Sequence, residues 1–287
     1  MKHEIIELYD DYTHGGMIRR EFLARLGRLA GGAAAASLLL PLLENRYAHA
    51  ATVSPQDPGL EAMREQFDGP DGAVDCYAAW PKKSPKRRPT VVVIHENRGL
   101  NAHIEDVTRR FALEGYLAIA PDALSGSGGT PANEDEARKL IGELNRDKAL
   151  AIYLAAVRHA VSHKHSNYRV GCVGFCWGGA MAGRLAANSK ELHAAVVFYG
   201  MPPAADEAAK VRVPMLLHYA GRDTRINEAV PAFESALKAA RAKYELHMYP
   251  DVDHAFHNDT NAARYNADAA LHAWKRTIAF FERELGK

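Results

Sequence analysis

The sequence predicts an α/β fold with a mostly parallel central sheet and helices on both faces. Short apolar, strand-like runs recur along the chain and are separated by stretches with helical spacing, an alternation typical of parallel sheets with crossover helices. Residues 91–94 form a continuous β-branched run, which suits a central strand buried on both faces. The predicted strands are 74–80, 90–95, 116–120, 169–174, 194–199, 215–219 and 244–249, and we expect the first to be peripheral.

Helices are predicted between and after these strands. Asn133 followed by Glu136 resembles a capping box, so a helix should begin there. Apolar residues recur at helical spacing over 150–161, and a last helix over about 262–284 should cover the sheet. The Pro- and Gly-rich stretch 53–72 is predicted to be an irregular approach to the sheet.

The composition limits the possible functions. With 287 residues, of which 47% are hydrophobic and 25% charged, the chain can bury a full core. Thirty-six Lys and Arg residues against 35 Asp and Glu residues leave a net charge of +1, which argues against a nucleic-acid partner. The three cysteines, Cys76, Cys172 and Cys176, are too few to form a disulfide framework.

The first 50 residues differ from the rest of the chain and resemble a twin-arginine export signal. Arg19 and Arg20 are followed by Phe-Leu, then by an Ala/Gly/Leu stretch over 29–43 and by Ala-His-Ala at 48–50. We predict cleavage after Ala50. The product would be a single mature domain, residues 51–287, in the periplasm or outside the cell.

This leader would engage the twin-arginine export machinery and contact the membrane only transiently. A permanent transmembrane helix is the weaker interpretation, because the apolar stretch contains two glycines and Pro41 and is shorter than the ~20 residues that span a bilayer. An amphipathic N-terminal helix is the other alternative.

A short apolar strand, the turn Gly-Phe-Cys-Trp-Gly and a helix start follow one another around Cys176. This order matches the nucleophile elbow of α/β-hydrolases, with Cys in place of Ser. Gly174 and Gly178 flank the turn because a Cβ would collide where strand and helix approach, and the helix N-terminus favours a thiolate. The pattern predicts a nucleophile at Cys176; the alternative is a tight structural turn with an inert cysteine.

Two further predicted strands end in residues that would complete a catalytic triad. Asp223 follows the strand 215–219, and His254 follows the strand 244–249. In α/β-hydrolases a His in this place takes the proton of the nucleophile and an Asp orients the imidazole. Structural alternatives are a helix cap for the Asp and a turn contact for the His. Neighbouring residues are rival assignments, namely Asp251, Asp253 and His257.

The segment 95–100, at the end of the central strand, should supply the rest of the site. Backbone N–H groups of Asn97 and Trp177 are candidates for the oxyanion hole. Glu96 is unusual there, because a carboxylate beside a thiolate raises the pKa of both. The alternative is that Glu96 caps a loop or pairs with Arg98.

Together these motifs resemble the dienelactone hydrolase family over about residues 60–285. The family is an α/β-hydrolase family that cleaves an enol lactone without metal or organic cofactor. The resemblance implies that Cys176 is the nucleophile, that Asp223 and His254 are its partners, and that Glu96 holds the resting thiol until substrate displaces it. The motifs, in chain order, are HENRGL, APDAL, GFCWGG, AGRD and DHAF.

The sequence departs from the family pattern at one position. Family members that process dienelactone have an Arg four residues after the catalytic His, where it grips the substrate carboxylate, and Asn258 occupies that position here. Arg264 or Arg98 are candidate substitutes.

The sequence therefore predicts a cofactor-independent hydrolase of small esters or lactones that forms a thioester at Cys176. A cysteine peptidase is the alternative within the hydrolases, and a non-catalytic binding protein on the same fold is the alternative outside them. No metal role is expected, because His95, His218 and His257 lack a recognisable ligand spacing.

Overall fold

A computed structural model describes residues 2–45, 52–83 and 87–286. Its sheet has eight strands in the order β1-β2-β4-β3-β5-β6-β7-β8. β2 pairs antiparallel with β1 and β4, and the remaining pairs are parallel. The strands are β1 (Leu60–Gly69), β2 (Gly72–Pro81), β3 (Arg88–Ile94), β4 (Leu117–Pro121), β5 (Ser166–Phe175), β6 (Ala194–Phe198), β7 (Met215–Ala220) and β8 (Tyr244–Tyr249).

Helices precede the sheet and cover both of its faces, which confirms the predicted α/β-hydrolase class. They are α1 (His3–His14), α2 (Arg19–Ala30), α3 (Ala33–Leu43), α4 (Ala102–Leu113), α5 (Glu134–Glu143), α6 (Arg146–Ser162), α7 (Trp177–Asn188), α8 (Ala205–Ala208), α9 (Thr224–Asn227), α10 (Val230–Ala239) and α11 (Ala267–Leu285).

The central strand β3 shows why the sheet is covered on both sides. Val91 and Val93 pack into one hydrophobic core, and Val92 and Ile94 pack into the other. All four side chains are fully buried. Alternate side chains of a strand point to opposite faces, so the β-branched run needs an apolar layer on each side.

Each predicted strand coincides with one of the strands β2 to β8, but β1 was missed. The stretch 53–72 contains β1, which pairs with β2 in a hairpin across Gly69 and Gly72. Half of its ten residues are charged or polar and eight are incompletely buried, so it lacks the apolar signal of a central strand. β2 consequently lies one strand in from the edge.

The predicted helices are present. The Asn133 side chain accepts hydrogen bonds from the backbone N–H groups of Asp135 and Glu136 and so caps α5. The last helix, α11, begins at Ala267 rather than near 262.

Helices α1, α2 and α3 form a small bundle with its own core. Its buried side chains include Tyr9, Tyr12, Phe22 and Leu26. None of the described helices is by itself long and apolar enough to cross a membrane; α2 and α3 meet that criterion only together, and they are bent by 112°. The predicted cleavage site at Ala50 lies outside the described residues.

Candidate active site

The strand β5 ends in a sharp turn that leads directly into α7. Cys176 occupies the turn with φ of 56° and ψ of −114°, a conformation that costs a non-glycine residue about 1–3 kcal/mol. A Cβ on Gly174 would lie 1.9 Å from the Gly178 carbonyl oxygen, and a Cβ on Gly178 would lie 2.4 Å from the His95 carbonyl oxygen. The two glycines are therefore required for the close approach that lifts the thiol above the sheet.

Asp223 and His254 meet at the carboxyl ends of β7 and β8. Asp223 Oδ2 is 2.5 Å from His254 Nδ1, and both side chains are buried. Burial alone would lower the pKa of His254, but its interactions with the Asp223 carboxylate and then with Cys176 outweigh burial, and that pKa is raised to about 10. Burial would raise the pKa of Asp223, but its charge interaction with His254 lowers it. The pair thus favours an imidazolium held by a carboxylate.

The rival residues around His254 point elsewhere. Asp251 is exposed, and Asp253 pairs with His3 of α1 at 3.0 Å. The His257 ring stacks on Phe175, and burial lowers the pKa of His257 to about 3.

A second histidine, which the sequence analysis did not identify, contacts the thiol. His14 is the last residue of α1, and its Nε2 atom lies 3.1 Å from Cys176 Sγ. The donor atoms of His14, Cys176 and His254 all lie within 4.8 Å of one another. Among the described residues, His254 Nε2 has no hydrogen-bond partner although it is buried. His14 therefore makes the contact with the Cys176 sulfur that the predicted triad assigns to His254.

The protonation of His14 follows from its second nitrogen. Nδ1 lies 3.0 Å from the carbonyl oxygen of Asp10, which can only accept, so Nδ1 carries the proton and Nε2 presents its lone pair to the sulfur. Burial, and then the charge on His254, lower the pKa of His14 well below its usual value. A neutral imidazole with this tautomer accepts a hydrogen bond from the Cys176 thiol.

Both arginines predicted to bind substrate contact α1. Arg264 Nη1 is 2.7 Å from Asp10 Oδ1, and Arg98 Nη2 donates to the Tyr9 hydroxyl at 3.0 Å. Helix α1 therefore contacts both guanidinium groups, through Asp10 and Tyr9, and the thiol, through His14.

The helix also leaves little of the site accessible. Asn97 donates from its side chain to the backbone carbonyl of Thr13 at 2.8 Å. Cys176 is 6% exposed and Glu96 is 3% exposed. The described state is closed over the nucleophile.

Glu96 is held by Asn258, the residue at the position where the sequence lacks the expected Arg. Asn258 Nδ2 donates to Glu96 Oε2 at 2.7 Å, while Glu96 Oε1 is buried and without a hydrogen-bond partner within the described part of the chain. Arg98, the alternative partner of Glu96, donates from Nε to Glu134 at 2.8 Å.

The two predicted oxyanion donors directly follow Cys176 and Glu96 in the chain. Trp177 is the first residue of α7, so its N–H has no carbonyl acceptor within the helix. Asn97 follows Glu96 after β3, and its side chain is fixed by α1. The Trp177 ring stacks on His95, with ring centroids 5.3 Å apart. The backbone at both positions is therefore held by neighbouring packing.

The other two cysteines lie away from this site. Cys172 lies within β5 and is fully buried, and burial raises the pKa of its thiol. Cys76 lies in β2 near Glu65 and His159, and together these three form a second donor group within 4.8 Å. Burial also raises the pKa of Cys76.

Comparison with known proteins supports the family and the fold. The model of the dienelactone hydrolase family matches residues 74–285, and a separate model, described as YqhI-like, matches residues 1–31. A protein of Escherichia coli named "Putative carboxymethylenebutenolidase" is 36% identical over 80% of this chain and 88% of its own length. A protein of Methylorubrum extorquens with the same name is 32% identical over 81% and 84%.

A solved structure shows the same architecture. The "Putative Dienelactone Hydrolase" of Klebsiella pneumoniae superposes with a TM-score of 0.72 and 32% identity, covering 78% of this chain and 99% of its own. The family model matches most of the chain, and relatives more than 30% identical cover more than two thirds of it. The chain belongs to the dienelactone hydrolase family.

Proposed function

We propose that the chain is a cysteine-dependent hydrolase of small esters or lactones. The observation that carries the proposal is the buried Asp223–His254 pair next to a cysteine in a strained elbow turn. In this role Cys176 is the nucleophile, His254 moves the proton and Asp223 orients the imidazole. A non-catalytic binding protein would not need a buried Asp–His pair beside a cysteine in a strained turn.

The reaction would proceed in two halves. The Cys176 thiolate attacks the carbonyl carbon and forms a C–S bond, and the carbonyl oxygen becomes an oxyanion that the N–H groups of Asn97 and Trp177 receive. Collapse of this intermediate breaks the C–O bond, and the leaving oxygen takes its proton from His254. Water then adds to the thioester while His254 takes a proton, and the C–S bond breaks to release the acid and restore the thiolate.

Activated esters and lactones fit this site better than amides. An alkoxide or enolate leaves readily once protonated, whereas an amine needs stronger protonation in the transition state. The elevated pKa of His254 makes its imidazolium a weak acid. A peptidase function, the second candidate, therefore has less support.

Glu96 and the two arginines would prepare the site for substrate. Asn258 fixes one oxygen of Glu96 and leaves the other free, so this carboxylate can accept the proton of the resting thiol. Arg264 now binds the carboxylate of Asp10. With α1 absent, Arg264 and Arg98 would be the groups to bind an acidic substrate.

The closed state connects this chemistry to the predicted leader. Helix α1 precedes the twin-arginine pair and lies within residues 1–50, the segment we expect export to remove. We propose that the full chain is latent and that loss of the leader in the periplasm or outside the cell opens the site. No nucleic acid or cofactor enters this scheme.

The test compares turnover of p-nitrophenyl acetate by residues 51–287 and by the same fragment with Cys176→Ala. The family model starts at residue 74, so the family domain does not include the leader. The fragment should be active and the variant should lose activity by ~10³-fold or more. Cys172→Ala, in the strand β5 that leads into this turn, is the matched control and should remain active. Equal turnover by Cys176→Ala would exclude the mechanism.

A further inference from the structure

We propose that His14, Cys176 and His254 form a zinc site that exists only while α1 is docked. Their donor atoms all lie within 4.8 Å of one another, and they come from the end of α1, the elbow turn and the turn after β8. Two imidazoles and a thiol are donors that suit zinc and that Mg²⁺ and Ca²⁺ do not prefer. Such a site does not require that the chain hydrolyse esters.

The two imidazoles are oriented as metal ligands are. His14 Nδ1 faces the Asp10 carbonyl oxygen at 3.0 Å, and His254 Nδ1 faces the Asp223 carboxylate at 2.5 Å. A ligating histidine typically donates its other N–H to a carbonyl or carboxylate, which fixes the ring and its tautomer. His14 Nε2 is therefore available for a metal as it stands, and His254 Nε2 becomes available when its imidazolium releases the Nε2 proton.

One of these nitrogens lacks a partner. Within the described residues, His254 Nε2 is buried and makes no hydrogen bond. A buried polar atom without a hydrogen-bond partner destabilises the folded state. A zinc ion placed between His254 Nε2, His14 Nε2 and the sulfur would satisfy this atom.

The distances and charges are compatible with zinc. For tetrahedral zinc with Zn–S of about 2.3 Å and Zn–N of about 2.0–2.1 Å, sulfur and nitrogen ligands lie roughly 3.6 Å apart. Cys176 Sγ and His14 Nε2 lie 3.1 Å apart. These two atoms therefore need to move apart by only about 0.5 Å to accommodate the ion. Zinc replaces two protons, that of the thiol and the Nε2 proton of the His254 imidazolium, and both are released to solvent, so the net charge of the site does not change. The Asp223 carboxylate at His254 Nδ1 favours a cation there, whereas Arg225 and Arg264 disfavour it.

The second donor group is a weaker candidate. Glu65, Cys76 and His159 also lie within 4.8 Å of one another, but the Glu65 carboxylate already pairs with His159 at 3.1 Å and His163 at 3.5 Å. These ion pairs satisfy the carboxylate without a metal. The group provides an internal control, because it too contains a cysteine.

The test is titration of the metal-free full chain with Co²⁺, followed by displacement with Zn²⁺. We expect one cobalt per chain and a cobalt–thiolate charge-transfer band in the near ultraviolet. Cys176→Ser should abolish the band, and His14→Ala should weaken cobalt binding at least ~100-fold. Cys76→Ser should retain the band, as should His3→Ala, which removes a histidine from the same helix.

Three outcomes would overturn the proposal: no thiolate band, a band lost in Cys76→Ser but kept in Cys176→Ser, or unchanged affinity in His14→Ala. Urea unfolding midpoints close to that of the parent chain show that the variants are folded. Ester turnover by residues 51–287 is independent of this result, because that fragment lacks His14. Failure of the zinc site is therefore distinguishable from failure of the hydrolase function.

Discussion

The two histidines at the sulfur come from opposite ends of the chain and have opposite electrostatic character. His254 is next to the Asp223 carboxylate, which together with Cys176 raises its pKa to about 10 against the effect of burial. His14 faces a backbone carbonyl, and burial and the charge on His254 lower its pKa. The carboxylate beside His254, and the burial of His14 next to that positive charge, thus separate the charge states of the two rings. His254 is suited to proton transfer, whereas neutral His14 accepts a hydrogen bond from the thiol.

The two histidines also differ in the structural elements that carry them. His254 lies in the family domain, on a turn fixed by β8. His14 lies on a helix that is anchored mainly through side chains, including Asp10 and Tyr9. We therefore expect His254 to serve the reaction and His14 to restrain it.

The largest expected effect separates the two histidines directly. In residues 51–287, His254→Ala should lower the rate of p-nitrophenyl acetate hydrolysis by ~10²–10⁴-fold, because proton transfer to and from the leaving oxygen and water is lost. In the full chain, His14→Ala should raise the rate. A loss of activity in His14→Ala comparable to that in His254→Ala would show that both histidines are catalytic.

The elbow turn places the sulfur between the two rings, so a change there should affect both. Gly174→Ala puts a Cβ 1.9 Å from the Gly178 carbonyl oxygen, and we expect about 3 kcal/mol or more of destabilisation in urea unfolding. Gly142→Ala is the matched control, because a Cβ in that helix meets nothing within 4 Å. It should be neutral or stabilising by up to about 1 kcal/mol. Equal effects would refute the close-approach argument.

The docking of α1 can be weakened through Asp10. In the full chain, Asp10→Asn removes the ion pair with the buried Arg264, and the rate of Cys176 alkylation by iodoacetamide should rise ~10–100-fold. Asp11→Asn changes the neighbouring, exposed carboxylate of the same helix and should leave the rate unchanged. The same acceleration in both variants would show that net charge, not the Arg264 contact, controls access.

The smallest effect is a pH dependence of stability from His254. Its pKa rises from 6.5 to about 10 on folding, so protonation favours the folded state. This contribution is complete below about pH 6.5 and is lost as the pH rises towards 10. Urea unfolding over that range should show a decline in the free energy of unfolding. His254→Ala should show a smaller decline, and an identical one would rule out His254 as its source.

Much of the fold could be predicted because its signals are local. Strands β2 to β8 carry apolar runs, and the helix cap at Asn133 is read from two residues. β1 could not be predicted, since an edge strand with half of its residues polar and most of them incompletely buried has no such signal.

The elbow and its two partners could also be placed from sequence, because strand ends and flanking glycines mark them. The contact of His14 with Cys176 could not. The two residues are 162 positions apart, and His14 lies in a segment whose pattern indicates export rather than packing on the domain. The sequence shows that Asn258 stands where the family pattern has an arginine. Its contact with Glu96 depends on tertiary structure and could not be predicted.

The most direct test of the central claim is to trap the acyl-enzyme. Residues 51–287 are mixed with p-nitrophenyl acetate, quenched in acid during the first turnover, digested and analysed by mass spectrometry. We predict one acetyl group, carried by the peptide that contains Cys176 and removed by hydroxylamine. Turnover with no acyl group on that cysteine, or with the acyl group on another residue, would contradict the account.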